Sequence, residues 1–152
     1  MNEDNVIDGV INYLKETLHS HGRGCRIDHR SYARDGDHGI DIKAHAISNG
    51  RTSTRYYIEA KGTLKAKDNS EKRSKFETEF RWAISQIILQ MKELSNATIY
   101  GIAVPITEKE ACLKLMKNNK GLKTLKIRLY LSFKDKNGEY CAEELTPKDI
   151  YK

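Results

Sequence analysis

Hydrophobic and polar positions alternate through residues 39–62, GIDIKAHAISNGRTSTRYYIEAKG, which predicts two strands joined by a tight turn. In the first half Ile40, Ile42, Ala44 and Ala46 share a face, and Asp41, Lys43 and His45 share the other. In the second half Tyr56, Ile58 and Ala60 oppose Tyr57, Glu59 and Lys61. Before this hairpin, Val6, Ile7, Val10, Ile11, Leu14 and Leu18 recur at helical spacing, so residues 6–21 form an amphipathic helix, with Asp4 or Asn5 as cap and Gly22 as stop. Residues 25–32 read as a first strand, and Arg34-Asp35-Gly36-Asp37 as a turn. Residues 63–75 lack an apolar pattern and read as a solvated loop. Residues 76–94, starting as early as Ser70, read as a second helix with Phe80, Ala83, Ile84, Ile87, Ile88, Met91 and Leu94 on a broad face and Trp82 in the core. The apolar run 97–106 predicts a strand covered on both faces, ending near Pro105. A third helix over 107–119 has Thr107 as cap, Glu110 completing a capping box and Gly121 as stop. Residues 125–133 alternate as a strand, and after the turn Asp135-Lys136-Asn137-Gly138 an edge strand over 139–145 is expected. The order is α-β-β-β-α-β-α-β-β, an α/β arrangement in one domain over residues 1–152.

The turn decides whether Asp41 and Glu59 can meet. Residues directly opposite in an antiparallel pair share a face. A two-residue Asn49-Gly50 loop would set Asp41 against Ile58, and the polar faces would disagree. A three-residue loop, Ser48-Asn49-Gly50, pairs Ile47 with Arg51 and Asp41 with Tyr57, leaving Glu59 diagonal to Asp41. The odd loop is therefore expected if both carboxylates serve one site.

That site has recognisable chemistry. Two carboxylates and a lysine on touching strands suit a divalent-metal hydrolase: the acids hold the ion, and ion and ammonium stabilise charge on a phosphate. Asp37 is a rival to Asp41, but its glycine-flanked turn points to a loop role. Composition agrees with a polyanionic partner, since the formal net charge is +6 with 32% charged residues. A chain of 152 residues suffices for one core. No apolar run approaches the ~20 residues of a membrane span, and the acidic start MNEDNVIDG has no signal-peptide pattern. Cys25, Cys112 and Cys141 are scattered and read as reduced thiols of a cytoplasmic protein. His19, His21, Cys25, His29 and His38 lack the paired spacing of a zinc site.

Gly39-Ile40-Asp41, a strand turn and Ile58-Glu59-Ala60-Lys61-Gly62 together resemble the PD-(D/E)xK nuclease superfamily, the restriction-endonuclease-like fold. Asp41 matches its motif aspartate and Glu59-Ala60-Lys61 its (D/E)xK. Ile40 stands where the proline would be, as in Mrr-type members; Holliday-junction resolvases are also similar in motif style. The resemblance implies an α-β-β-β-α-β core over roughly residues 5–106, a mixed sheet flanked by helices, with a C-terminal α-β-β extension. It also implies a metal-dependent endonuclease hydrolysing phosphodiester bonds in DNA. Asp41, Glu59 and the Ala60 carbonyl would hold Mg²⁺ (or Mn²⁺), and Lys61 would position water, take its proton or stabilise the transition state. An acidic residue on the first helix is implied too: Glu16, or failing that Asp8, although the family's glutamate falls nearer Asn12 and a solvated face is the plainer reading. Gln86 corresponds to a glutamine that the family carries near the lysine, or is a rim residue.

The implied partner is nucleic acid, with Arg51, Arg55, Lys65, Lys67, Lys72, Arg73 and Lys75 contacting phosphates, or Arg23, Arg26 and Arg30 as a second path. A homodimer is implied because two strands need two sites. Two rivals stand beside this reading. One is a catalytically inactive nucleic-acid-binding module, against which the intact Asp41, Glu59 and Lys61 argue. The other is a protein-interaction domain in which Glu59 and Lys61 form only a surface pair.

Overall fold

The alternating stretch does fold as a hairpin. The computed structural model describes residues 1–31, 39–63 and 68–151. In chain order these form helix α1 (Glu3–Ser20), strands β1 (Gly24–Arg30), β2 (Ile42–Ser48) and β3 (Arg51–Ala60), helix α2 (Asn69–Gln90), strand β4 (Thr98–Pro105), a 3₁₀ turn (Ile106–Glu108), helices α3 (Lys109–Met116) and α4 (Lys120–Thr124), strands β5 (Arg128–Lys134) and β6 (Tyr140–Leu145), and a last turn of helix, α5 (Pro147–Ile150). The strands make one mixed sheet in the order β1-β2-β3-β4-β5-β6. Pairs β3–β4 and β4–β5 are parallel; the others are antiparallel. The architecture is α/β.

Two apolar layers sandwich the sheet. On one face, the α1 stripe Val6, Ile7, Val10, Ile11, Leu14 and Leu18 packs on Ile42, Ala44, Ala46, Tyr56, Ile58 and Ala60. On the other, Phe76, Phe80, Ala83 and Ile87 of α2 pack on Tyr100, Ile102 and Val104, with Cys112 and Met116 of α3 beside them. Covered on both sides, β4 can be apolar almost throughout. α1 also reaches across to the far strands. The Ser132 hydroxyl donates to the Val6 carbonyl at 3.0 Å, and the Asn12 amide donates to the Tyr140 carbonyl at 2.9 Å.

The hairpin turn differs from expectation in an instructive way. Ser48 pairs with Arg51, so the loop is the two residues Asn49 and Gly50, at φ 50° and 71°. The register then shifts between Ile47, opposite Thr52, and Ala46, opposite Thr54. One extra residue, Ser53, is thereby bulged out of β3. Its hydroxyl donates to the Ala46 carbonyl at 3.2 Å, and the Arg23 guanidinium binds both Ser53 and Thr54. The bulge supplies the odd residue that the loop does not, and Ile42 ends opposite Ile58. Ile40, expected beside Ile42, packs instead in the α2 layer, because the chain leaves the strand at Asp41.

Other boundaries move for local reasons. The α1 cap is Asn2, whose side chain accepts the Asn5 N–H at 2.9 Å. α2 begins at Asn69, capped by Asp68, so Lys72, Arg73 and Lys75 are helical rather than loop residues. Trp82 is not core: it is 61% exposed, and Ile88 and Leu94 are exposed with it. The sheet receives the ridge Phe76-Phe80-Ala83-Ile87 with Ile84 and Met91 half-buried at its margin, and Trp82 turns away from it. The third helix breaks in two. Thr107 lies in the 3₁₀ turn, and α3 starts without a side-chain cap. Asn119 caps α4, which contains Gly121; the left-handed residue after it is Lys126. Arg34, Asp35, Gly36, Asp37, His38, Lys65 and Lys67 lie outside the described residues. Among the described residues, no helix is long and apolar enough to cross a membrane.

Candidate active site

The β2–β3 register carries Asp41 to the level of Glu59, and the side chains complete the contact. Asp41 Oδ2 accepts the Ala60 N–H at 2.7 Å, taking the place a strand carbonyl would fill. The two carboxyl groups lie within electrostatic reach of each other. Lys61 Nζ donates to Glu59 Oε1 at 3.0 Å. The backbone of Lys61 is fixed by its N–H to the Ala103 carbonyl of β4, 2.9 Å. Asp41 and Glu59 are 7% and 3% exposed, unusual burial for two acids. Glu59 Oε2 is buried with no hydrogen-bond partner among the described residues.

A third acid comes from an unexpected place. Glu3, in the first turn of α1, sets Oε2 3.7 Å from Lys61 Nζ. It is brought there by a clamp between chain segments: the Thr63 N–H donates to the Met1 carbonyl at 2.8 Å, and the Met1 ammonium to Thr63 Oγ1 at 3.2 Å. The periodic reading began the helix at residue 6 and left Glu3 out. Its only sequence signal is an acidic residue in a helix first turn. Glu16, thirteen residues further on, is about 20 Å up the helix. With Asp8 it lines a separate recess beside Arg30 and Tyr140. Replacing Glu3 by Gln is expected to weaken divalent-cation affinity ~10-fold through Lys61, whereas Glu16→Gln leaves it unchanged in the same calorimetric titration.

Protonation follows from burial. Burial and then the Glu59 charge push the Asp41 carboxyl up to about 7, against the Ala60 N–H and Lys61. Burial raises Glu59 also, with Lys61 pulling the other way. For Lys61, burial favours the neutral amine, but Glu59 and Glu3 outweigh it and its pKa rises. Lys61 is therefore an ammonium at neutral pH.

The remaining candidates are dispersed. On α2, Glu79 is within electrostatic reach of Glu3. Gln86 lies seven residues, about 10 Å, further along α2. Arg51 sits beside the hairpin turn, at the opposite end of β3 from Glu59. Lys72 pairs with Glu108 at 3.6 Å, Arg73 with Glu77 at 3.3 Å and Lys75 with Glu71 at 2.5 Å. Arg55 pairs with Glu93 at 3.4 Å. Such half-exposed pairs hold their cations weakly. Comparisons with protein-family models, with curated proteins and with solved structures each return no match. Function must be argued from the site.

The site fits a hard divalent cation. Its donors are carboxylate oxygens, one of them unpartnered. Ala60 directs its N–H at Asp41, and in an extended strand a residue's carbonyl points the same way as its N–H. The Ala60 carbonyl is therefore on the side of β3 that Asp41 occupies. Among the described residues no three His, Cys, Asp or Glu side chains form a ready-made metal cluster, so a backbone oxygen and waters would complete the shell.

Proposed function

We propose that this chain is a metal-dependent endonuclease hydrolysing phosphodiester bonds in DNA. The observation that carries the reading is the buried Asp41–Glu59 pair with its unpartnered oxygen beside the Lys61 ammonium. Two acids buried together are costly unless a cation compensates them, and one lysine shared with Glu3 does not neutralise three carboxylates. Asp41, Glu59 and the Ala60 carbonyl would hold Mg²⁺ or Mn²⁺. Such an ion, when bound, lowers the pKa of a water and offsets charge on the phosphate. Lys61, held by Glu59 and Glu3 in its charged form, suits charge stabilisation better than proton removal. The order helix, three strands, helix, strand through β4 supports the same reading.

The test is cleavage of plasmid and single-stranded DNA with Mg²⁺ or Mn²⁺ against EDTA. Metal-dependent cutting is expected, falling at least ~100-fold in Glu59→Gln. DNA binding without cutting at any metal concentration would leave the inactive binding module. One observation favours the protein-interaction reading: Trp82, Ile88, Leu89 and Leu94 leave apolar surface exposed on and just after α2. A chain that neither binds nor cuts DNA would be understood from that surface.

A further inference from the structure

Beside the carboxylates, the sheet carries a second feature that the reading above does not use. Tyr57 lies two residues before Glu59 on the same face of β3, and its cross-strand partner on β2 is Lys43, two residues after Asp41. Between this part of the sheet and the end of α2 is a recess of about 350 Å³, lined by Lys43, Arg55, Tyr57, Lys92, Glu93 and Tyr100. Its aromatic wall is built: Tyr57 stacks on Tyr100 with ring centroids 5.6 Å apart and planes at 22°. The Tyr100 hydroxyl is held by the Glu93 carbonyl at 3.0 Å. Tyr100 is on the β4 side of Tyr57 and Lys43 on its β2 side, and all three line the recess. Lys43, Arg55 and Lys92 rim it against the one carboxylate of Glu93, which pairs with Arg55 at 3.4 Å and accepts from Thr98 at 2.6 Å.

We propose that this recess binds one unpaired base of single-stranded DNA, next to the phosphate at Asp41 and Glu59. The inference rests on the DNA part of the proposed function. An aromatic wall ringed by cations is the combination that holds unstacked bases without reading their sequence. The volume is at the small end of ligand sites and takes one base, not the stacked pairs of a duplex. The two-residue strand repeat, about 6.6 Å, sets the recess one nucleotide from the carboxylates, with Lys43 beside Tyr57 and Arg55 on the side of it away from Glu59, placed for the phosphates that flank the base. Beyond it, His45 stands across from Arg55 and Arg26, and Asp28 bonds both Arg26 and His45, so the cationic path stops at the recess itself.

The test is fluorescence anisotropy with labelled 12-mers in EDTA, where binding is read without cleavage. Wild type is expected to bind single strands ~10-fold more tightly than duplex, and Tyr57→Leu to lose roughly that factor. Lys43→Ala with Arg55→Ala, both at the surface, should reduce the single-strand salt slope by about 1.4. An abasic nucleotide moved along the 12-mer should weaken wild type at one register and leave Tyr57→Leu indifferent. A flat abasic scan, or duplex bound as tightly as single strand, overturns the recess even if metal-dependent cutting is found. A positive scan with no cutting sustains the recess and removes the nuclease reading.

Discussion

Asp41→Asn should abolish divalent-cation binding and, at the same time, make the metal-free protein more stable at neutral pH. The Asp41 carboxyl keeps its proton to about 7 in the fold, against 3.8 as the ordinary value. Between those values the folded state holds more protons than the unfolded one, so stability falls as pH rises through the window. The loss, complete above the folded value, is of the order of 4 kcal/mol. Glu59 and Glu3, both raised by burial, act in the same sense. Lys61 stays charged throughout and contributes no slope. Asparagine can still accept the Ala60 N–H but has nothing to ionise. Denaturation from pH 5 to 8 in EDTA should therefore show a declining stability in wild type and a much flatter line in Asp41→Asn. Saturating Mg²⁺ should lift wild type at pH 8 and leave the variant where it was, because only the ionised pair gains from the cation. Parallel slopes in the two proteins would remove Asp41 as the titrating group.

Gly62→Ala should damage the site without touching an acid. A Cβ there would stand 2.7 Å from the Glu3 nitrogen and 3.0 Å from the Asn2 carbonyl carbon. Both are backbone, so no side-chain rotation relieves the contact and the start of α1 must move. With it go the Met1–Thr63 clamp and the Glu3–Lys61 approach. Overpacking of this kind costs about 2 kcal/mol, which lowers Tm by roughly 6 °C in a chain of this size. Divalent affinity should drop as it does in Glu3→Gln. Adding Glu3→Gln to Gly62→Ala should then cost nothing further, since the contact is already lost. Full additivity of the two losses would show that Glu3 acts independently of the clamp.

What could be read from residue order, and what could not, divides along physical lines. The hairpin and its faces were legible because side-chain alternation is strict; the meeting of Asp41 with Glu59 followed from the premise that both serve one site, and Tyr57, expected opposite Asp41, pairs with Lys43 instead. The device that makes them meet was not legible. Any single inserted residue satisfies that parity, and nothing in Arg51-Thr52-Ser53-Thr54 marks a bulge held by Arg23. Glu3 escaped because apolar periodicity finds where a helix begins to bury residues, which is later than where it begins. Trp82 escaped because an aromatic residue inside an apolar pattern reads as buried, while the face of α2 that meets the sheet is the one carrying Phe76, Phe80, Ala83 and Ile87. The recess at Tyr57 needed β2, β3, β4 and the end of α2 together, and no local pattern contains all four.

The reach of α1 across the whole sheet has a kinetic consequence. Neighbouring strands follow one another along the chain, so the β2–β3 hairpin can form as soon as it is synthesised. The seam between α1 and the far strands joins residues 126 and 128 positions apart. Contacts that distant are late and slow to close. A nascent chain should therefore hold its acid-bearing hairpin early, with part of the α1 stripe uncovered until β5 and β6 emerge, and that interval is when a chaperone would find it.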